Sequence, residues 1–179
     1  MKRTRTPLAA VAVVAVLAAV GIAAATAAAA PSTTVRLYAK AGPVKMHATL
    51  DVTLAPVTAT QALAKLGALS SCTVQHTSNP RNGIADKLSC TTASGRHVVV
   101  PAAMTSATLT YKLHSTTGLN SPVMTVQIRH GSSVIETLTS STGAISFPTG
   151  HTAAMVSGKD TLYVIAGAHT YHGKITVVR

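Results

Sequence analysis

Val44, Met46, Ala48, Leu50, Val52 and Leu54 alternate without a break with Lys45, His47, Thr49, Asp51 and Thr53. Successive side chains of a strand point to opposite faces, so this stretch predicts a strand with one face in the core and the other wet. Val35 to Ala39 predicts a shorter strand before it, with Ala41-Gly42-Pro43 as the turn between them. His97-Val98-Val99-Val100, followed by Pro101, marks another strand. Ala107, Leu109, Tyr111 and Leu113, alternating with Thr108, Thr110, Lys112 and His114, mark the next. Met124, Val126 and Ile128 run to a turn at His130-Gly131-Ser132-Ser133, from which Val134 to Thr139 returns. Ala144 to Phe147 is a short strand closed by Pro148, and Thr152 to Val156 suits a helical turn stopped by Gly158. Leu162 to Ile165 is expected to pair with Ile175 to Val178 across Ala166 to Gly173.

One stretch breaks the two-residue period. Thr58 to Leu69 holds Gln61-Ala62-Leu63-Ala64-Lys65-Leu66 and then Gly67, which predicts one or two helical turns with a glycine stop, crossing from one sheet to the other. About ten short strands at this spacing predict an all-β fold, an antiparallel β-sandwich with one short helix. No internal repeat and no long linker divides residues 31–179, so they are expected to form a single domain.

Two cysteines add a constraint. The midpoint of Cys72 and Cys90 is Arg81, inside the turn-forming run Ser78-Asn79-Pro80-Arg81-Asn82-Gly83. Folding about that centre sets Cys72 across from Cys90, Val74 across from Leu88 and His76 across from Asp86. A disulfide-stapled hairpin is therefore expected, and closing such a loop contributes ~3 kcal/mol. A redox-active dithiol, the alternative, normally has Cys-x-x-Cys spacing.

The apolar share of 47% is inflated by one Ala/Val-rich block near the start. Lys2, Arg3 and Arg5 precede an uncharged stretch from Pro7 to Ala30 that closes in small residues, the order of a secretory signal peptide over residues 1–30. The stretch is also long enough to span a bilayer, so an uncleaved anchor is the competing reading. The protein is expected outside the cytoplasm, secreted or in the cell envelope, where a disulfide persists.

Removing the leader leaves twelve Lys and Arg against four Asp and Glu, a net charge of +8 for residues 31–179. That balance favours an anionic partner, such as a teichoic-type polymer, phospholipid head groups or an acidic polysaccharide. Singly scattered bases on a solvated surface would account for the charge as well. With no Trp, one Phe and four Tyr, the chain lacks the stacking residues of a nucleic-acid module.

From Thr105 onward three stretches resemble the CHRD domain, a module first noted in chordin and common in exported bacterial proteins. These are Leu109-Thr110-Tyr111-Lys112-Leu113 with Gly118-Leu119, Val126-Gln127-Ile128-Arg129-His130-Gly131, and Leu162-Tyr163-Val164 leading to His169-Thr170 and Gly173-Lys174-Ile175. The two strand histidines of that family would fall on Gln127 and Arg129, and the glutamate before Ile175 is Lys174. The resemblance implies an immunoglobulin-like or superoxide-dismutase-like sandwich with a binding role and no established catalysis.

Carboxylates are scarce: Asp51, Asp86, Glu136 and Asp160 are the only acids, each with a plain place on a strand face, in the hairpin or in a turn. Acid–base chemistry usually needs a pair, and no Gly-x-Ser-x-Gly elbow locates a serine nucleophile, so a secreted hydrolase ranks as the third reading. Histidine is in surplus, at 47, 76, 97, 114, 130, 151, 169 and 172. His169 and His172 flank Tyr171 in an expected turn where both rings would face one copper or zinc ion, with His130 or His151 joining them. Exposed histidines without metal are the plainer reading. The sequence thus points first to a non-catalytic binding domain without a cofactor, and second to a histidine-based metal protein.

Overall fold

The computed structural model describes residues 30–57, 67, 69–75, 87–119 and 124–178. The leader over residues 1–29, the helical turns expected over 58–66, and the tip of the cysteine hairpin with its His76–Asp86 pair lie outside them. No helix among the described residues is long and apolar enough to cross a membrane.

The strands are β1 (Ser32–Ala41), β2 (Val44–Pro56), β3 (Leu69–Gln75), β4 (Lys87–Thr92), β5 (His97–Ser115), β6 (Met124–His130), β7 (Ser133–Leu138), β8 (Thr142–Phe147), β9 (Asp160–Ala166), β10 (His169–Lys174) and β11 (Thr176–Val177). A helix, α1 (Thr149–Val156), links β8 to β9. The first sheet has the order β11-β1-β2-β5-β4-β3, with β8 also paired to β5, and the second has the order β10-β9-β6-β7. Every pairing is antiparallel. The expected all-β sandwich with one short helix is the observed architecture.

Alternation decides which face is inside. Val44, Met46, Leu50, Val52 and Leu54 of β2 are fully buried and register against β1 and β5, so the apolar faces of three neighbouring strands coincide. They join Val126 and Ile128 of β6 and Leu162 and Val164 of β9 in one core between the sheets. Met155 and Val156 of α1 close one end, and Gly158, with φ +71°, stops the helix as expected. The β1–β2 turn has Gly42 at φ +56°, the conformation glycine supplies at the first central position of a two-residue hairpin.

Two sequence expectations are corrected. The two strands expected on either side of Pro101 are one continuous strand, β5, with β2 along one edge. On its other edge β4 covers His97 to Pro101 and β8 covers Ala107 to Lys112. Pro101 falls where β4 ends, and its carbonyl accepts from the Val57 N–H, so the missing N–H does not break the strand. The second correction concerns the last hairpin. Leu162 to Ile165 does not pair with Ile175 to Val178. A tight turn at Gly167, with φ +57°, sends β10 straight back along β9, and β11 instead pairs with β1 through Leu37 and Val177.

The cysteine hairpin has the expected register. Cys72 lies opposite Cys90 and Val74 opposite Leu88, and the disulfide is formed. It ties β3, an edge strand, to β4.

Candidate functional site

The outward side chains of the first sheet follow from the same alternation that buries its core. Lys40, Lys45 and His114 lie in one cross-strand row, and Tyr38, His47 and Lys112 lie in the next. Arg36, Thr49 and Thr110 make a third row, followed by Thr34, Asp51 and Thr108. Arg36, Lys40, Lys45 and Lys112 are all exposed. Tyr38 meets His47 edge-on at 5.2 Å, and His47 meets His114 at 5.7 Å. Beside His47 a shallow depression of about 420 Å³ is lined by Arg36, Thr49, Thr110, Lys112, Thr142 and His47 itself.

The charge on this face is not neutralised locally. Its one described carboxylate, Asp51, accepts a 2.6 Å hydrogen bond from Thr34 Oγ1. Among the described residues the only ion pair joins His130 to Asp160, away from this face. Lys40 and Lys45 are directly opposed across the hairpin, an arrangement of like charges that destabilises a sheet. The scatter of bases along the sequence thus conceals a cluster in space. The signal was present in the polar half of each alternating strand, but it required the strand order and register to assemble.

The second sheet carries a smaller basic cluster on its own outer face. The Arg129 guanidinium lies 4.4 Å over the ring of Tyr163, while its Nε and Nη2 donate to Gln127 Oε1 at 2.9 and 2.6 Å. His172 stacks on the same ring at 5.6 Å. Arg129 and Lys174 are both cross-strand partners of Thr161.

The histidines proposed as metal ligands are dispersed. His169 and His172 lie on β10 rather than in a turn, and a spacing of three puts them on opposite faces of that strand. His130 sits opposite Asp160 at one end of β9, and His169 sits opposite Ala166 at the other. His151 belongs to α1. Among the described residues no three His, Cys, Asp or Glu side chains are arranged to hold a metal ion.

Asp160, expected in a turn, is instead the fully buried first residue of β9. Its Oδ1 is hydrogen-bonded at 2.8 Å to Nδ1 of His130, whose side chain is half exposed. Burial raises the Asp160 pKa, opposed by the His130 hydrogen bond and by the charges of His130 and His151. Asp160 Oδ2 and His151 Nδ1 are buried without a partner among the described residues. No local signal in Lys159-Asp160-Thr161 announces this environment, because the burial is imposed by packing of β6, β9 and α1.

No protein-family model, no curated protein and no solved structure matches the chain.

Proposed function

We propose that the chain is a secreted, non-catalytic binding domain of the bacterial cell envelope or extracellular space, and that it holds an anionic polymer on the outer face of the first sheet. The observation that carries this reading is the set of four exposed cations, Arg36, Lys40, Lys45 and Lys112, on one sheet face whose single described carboxylate is engaged by Thr34. Opposed lysines cost stability when nothing binds them, and an anion laid across the hairpin turns that repulsion into attraction. The leader and the disulfide support export, and the CHRD resemblance supports a binding role outside the cell.

The face also argues for a class of polymer. Its one described aromatic side chain, Tyr38, is half-buried and turned edge-on to His47, so the described residues offer no stacking platform for a base or a sugar ring. Recognition here is by charge along a backbone, as suits a chain of regularly repeated anionic groups.

The test is binding of the exported protein to long-chain inorganic polyphosphate and to polygalacturonate by calorimetry across a salt series. Binding that weakens steeply with salt and is lost in the Lys45→Glu/Lys112→Glu variant is expected. Absence of binding to both polymers at low salt would sink the reading.

A further inference from the structure

The two sheets join at one corner through a chain segment they share. β10 pairs with β9 of the second sheet, and the chain then runs directly into β11, which pairs with β1 of the first, Thr176 opposite Tyr38 and Val177 opposite Leu37. Just before that switch Gly173 comes against the carbonyl of Lys40, with no room for a Cβ. Lys174 falls between the two contacts, so it stands beside Lys40 at the corner. Both lysines are exposed: Lys40 alternates with the buried Ala39 and Ala41, and Lys174 precedes the buried Ile175.

The corner makes one line of the two basic clusters. On the first sheet Lys40 is opposite Lys45, and Lys45 is opposite His114. On the second, Lys174 is opposite Thr161, and Thr161 is opposite Arg129. The line is therefore His114, Lys45, Lys40, Lys174, Thr161 and Arg129, one residue each from β5, β2, β1, β10, β9 and β6. At about 4.8 Å per strand it is roughly 24 Å long.

Resting on the anionic-polymer reading, we propose that this line is one continuous binding track. A single linear polyanion crosses the first sheet and wraps over the β1–β10 corner onto Lys174 and Arg129.

Charge sets the direction. No described carboxylate lies in the line: Asp51 belongs to another row, Glu136 is on β7 with its Oε1 accepting from the Thr137 N–H, and Asp160 is buried. A chain laid along β2 instead would run from Lys45 onto Asp51. Lys174, Lys40 and Lys45 stand side by side, and one anionic chain laid across them relieves their repulsion together. The far end is prepared for it. Gln127 Oε1 accepts from Nε and Nη2 of Arg129, and the Tyr163 ring covers one face of the guanidinium. Both contacts fix the guanidinium before any ligand arrives, which lowers the ordering cost of binding.

The experiment is calorimetry of the exported protein across a salt series, with inorganic polyphosphates and with oligogalacturonates. In each series a trimer is compared with a chain just long enough to span the line, and the series that shows a length preference names the anion as phosphate or carboxylate. Four proteins are compared: the wild type, Lys174→Gln, Arg129→Gln/Lys174→Gln, and Lys87→Gln/Arg96→Gln. The last removes equal charge off the line, since Lys87 is opposite Pro101, far along β5 from His114, and Arg96 immediately precedes that strand. Thermal unfolding of each establishes that it is folded.

The wild type and the off-line control are expected to bind one spanning chain per protein and to prefer it strongly over the trimer. Arg129→Gln/Lys174→Gln is expected to lose about tenfold of that preference. Its plot of log affinity against log salt is expected to be shallower by roughly 1 to 2. Lys174→Gln, which leaves the Arg129 contacts in place, is expected to fall between. Two spanning chains per wild-type protein would mean separate sites and overturn the single track. A length preference unchanged in Arg129→Gln/Lys174→Gln, or reduced as much in the off-line control, overturns the wrap and leaves the first-sheet reading in place. No wild-type binding to either series at low salt overturns the underlying reading itself.

Discussion

His130 Nδ1 lies 2.8 Å from Oδ1 of Asp160, joining a half-exposed imidazole to a carboxyl that no solvent reaches. Desolvation raises the Asp160 pKa despite that bond, so the folded state holds the Asp160 proton more tightly than the unfolded chain does. The stability this group contributes is therefore complete below its unfolded pKa and is lost as pH rises through the folded one. Asp160→Asn keeps a neutral side chain at every pH. Its melting temperature relative to the wild type is expected to climb between pH 3 and pH 7, as followed by circular dichroism. A difference that stays level or falls over that range contradicts the assignment of burial as the dominant cause.

Removing the other partner has the opposite sign. His130→Ala leaves both oxygens of a buried carboxyl without a protein partner, and a loss of about 1–3 kcal/mol at pH 7 is expected in urea unfolding. The same substitution in the Asp160→Asn background is expected to cost less, because a neutral amide is cheaper to leave unpaired than a carboxylate. Equal losses in both backgrounds would show that the imidazole acts through packing alone.

Gly173 of β10 runs against the backbone of β1, where a Cβ would overlap the carbonyl of Lys40. Backbone cannot move aside as a flexible side chain does, so Gly173→Ala is expected to cost about 3 kcal/mol by forcing β10 off β1. Gly131, at φ +59°, has nothing near the position of a Cβ, and Gly131→Ala is expected to cost only about 1–2 kcal/mol of left-handed backbone strain. Similar destabilisation of the two variants in chemical denaturation would argue against a close β10–β1 approach.

The fold was largely legible because its strands are half-buried. In β2 every second residue declares its face, and the Cys72–Cys90 register followed from a midpoint falling on turn residues. The errors occurred where burial stops alternating. Tyr171 and His172 on β10 are exposed on either side of the strand, so no apolar period marks it, and the sequence by itself reads as a loop until Ile175. Pro101 misled for a related reason: its meaning depends on which neighbour occupies that edge of β5, and this is a tertiary fact. The candidate site was the least legible part. Lys40 and Lys45 are near neighbours in sequence, but Lys112 and His114 reach them only through a pairing that spans the cysteine hairpin.

Those opposed lysines also separate function from stability. Lys40 and Lys45 share a cross-strand pair with no described carboxylate to offset them. Replacing one by an acid converts a repulsive pair into an attractive one, and cross-strand pairs contribute roughly 0.2–1 kcal/mol. Lys45→Glu is therefore expected to raise the stability of the protein by about 0.5 kcal/mol at low salt, with the gain fading as salt screens it. The same substitution is expected to weaken polyphosphate binding. A variant that is more stable and binds less tightly is the pattern of a surface kept repulsive for the sake of a ligand. If Lys45→Glu proves less stable and binds as the wild type does, the lysines serve the hairpin and not a polymer.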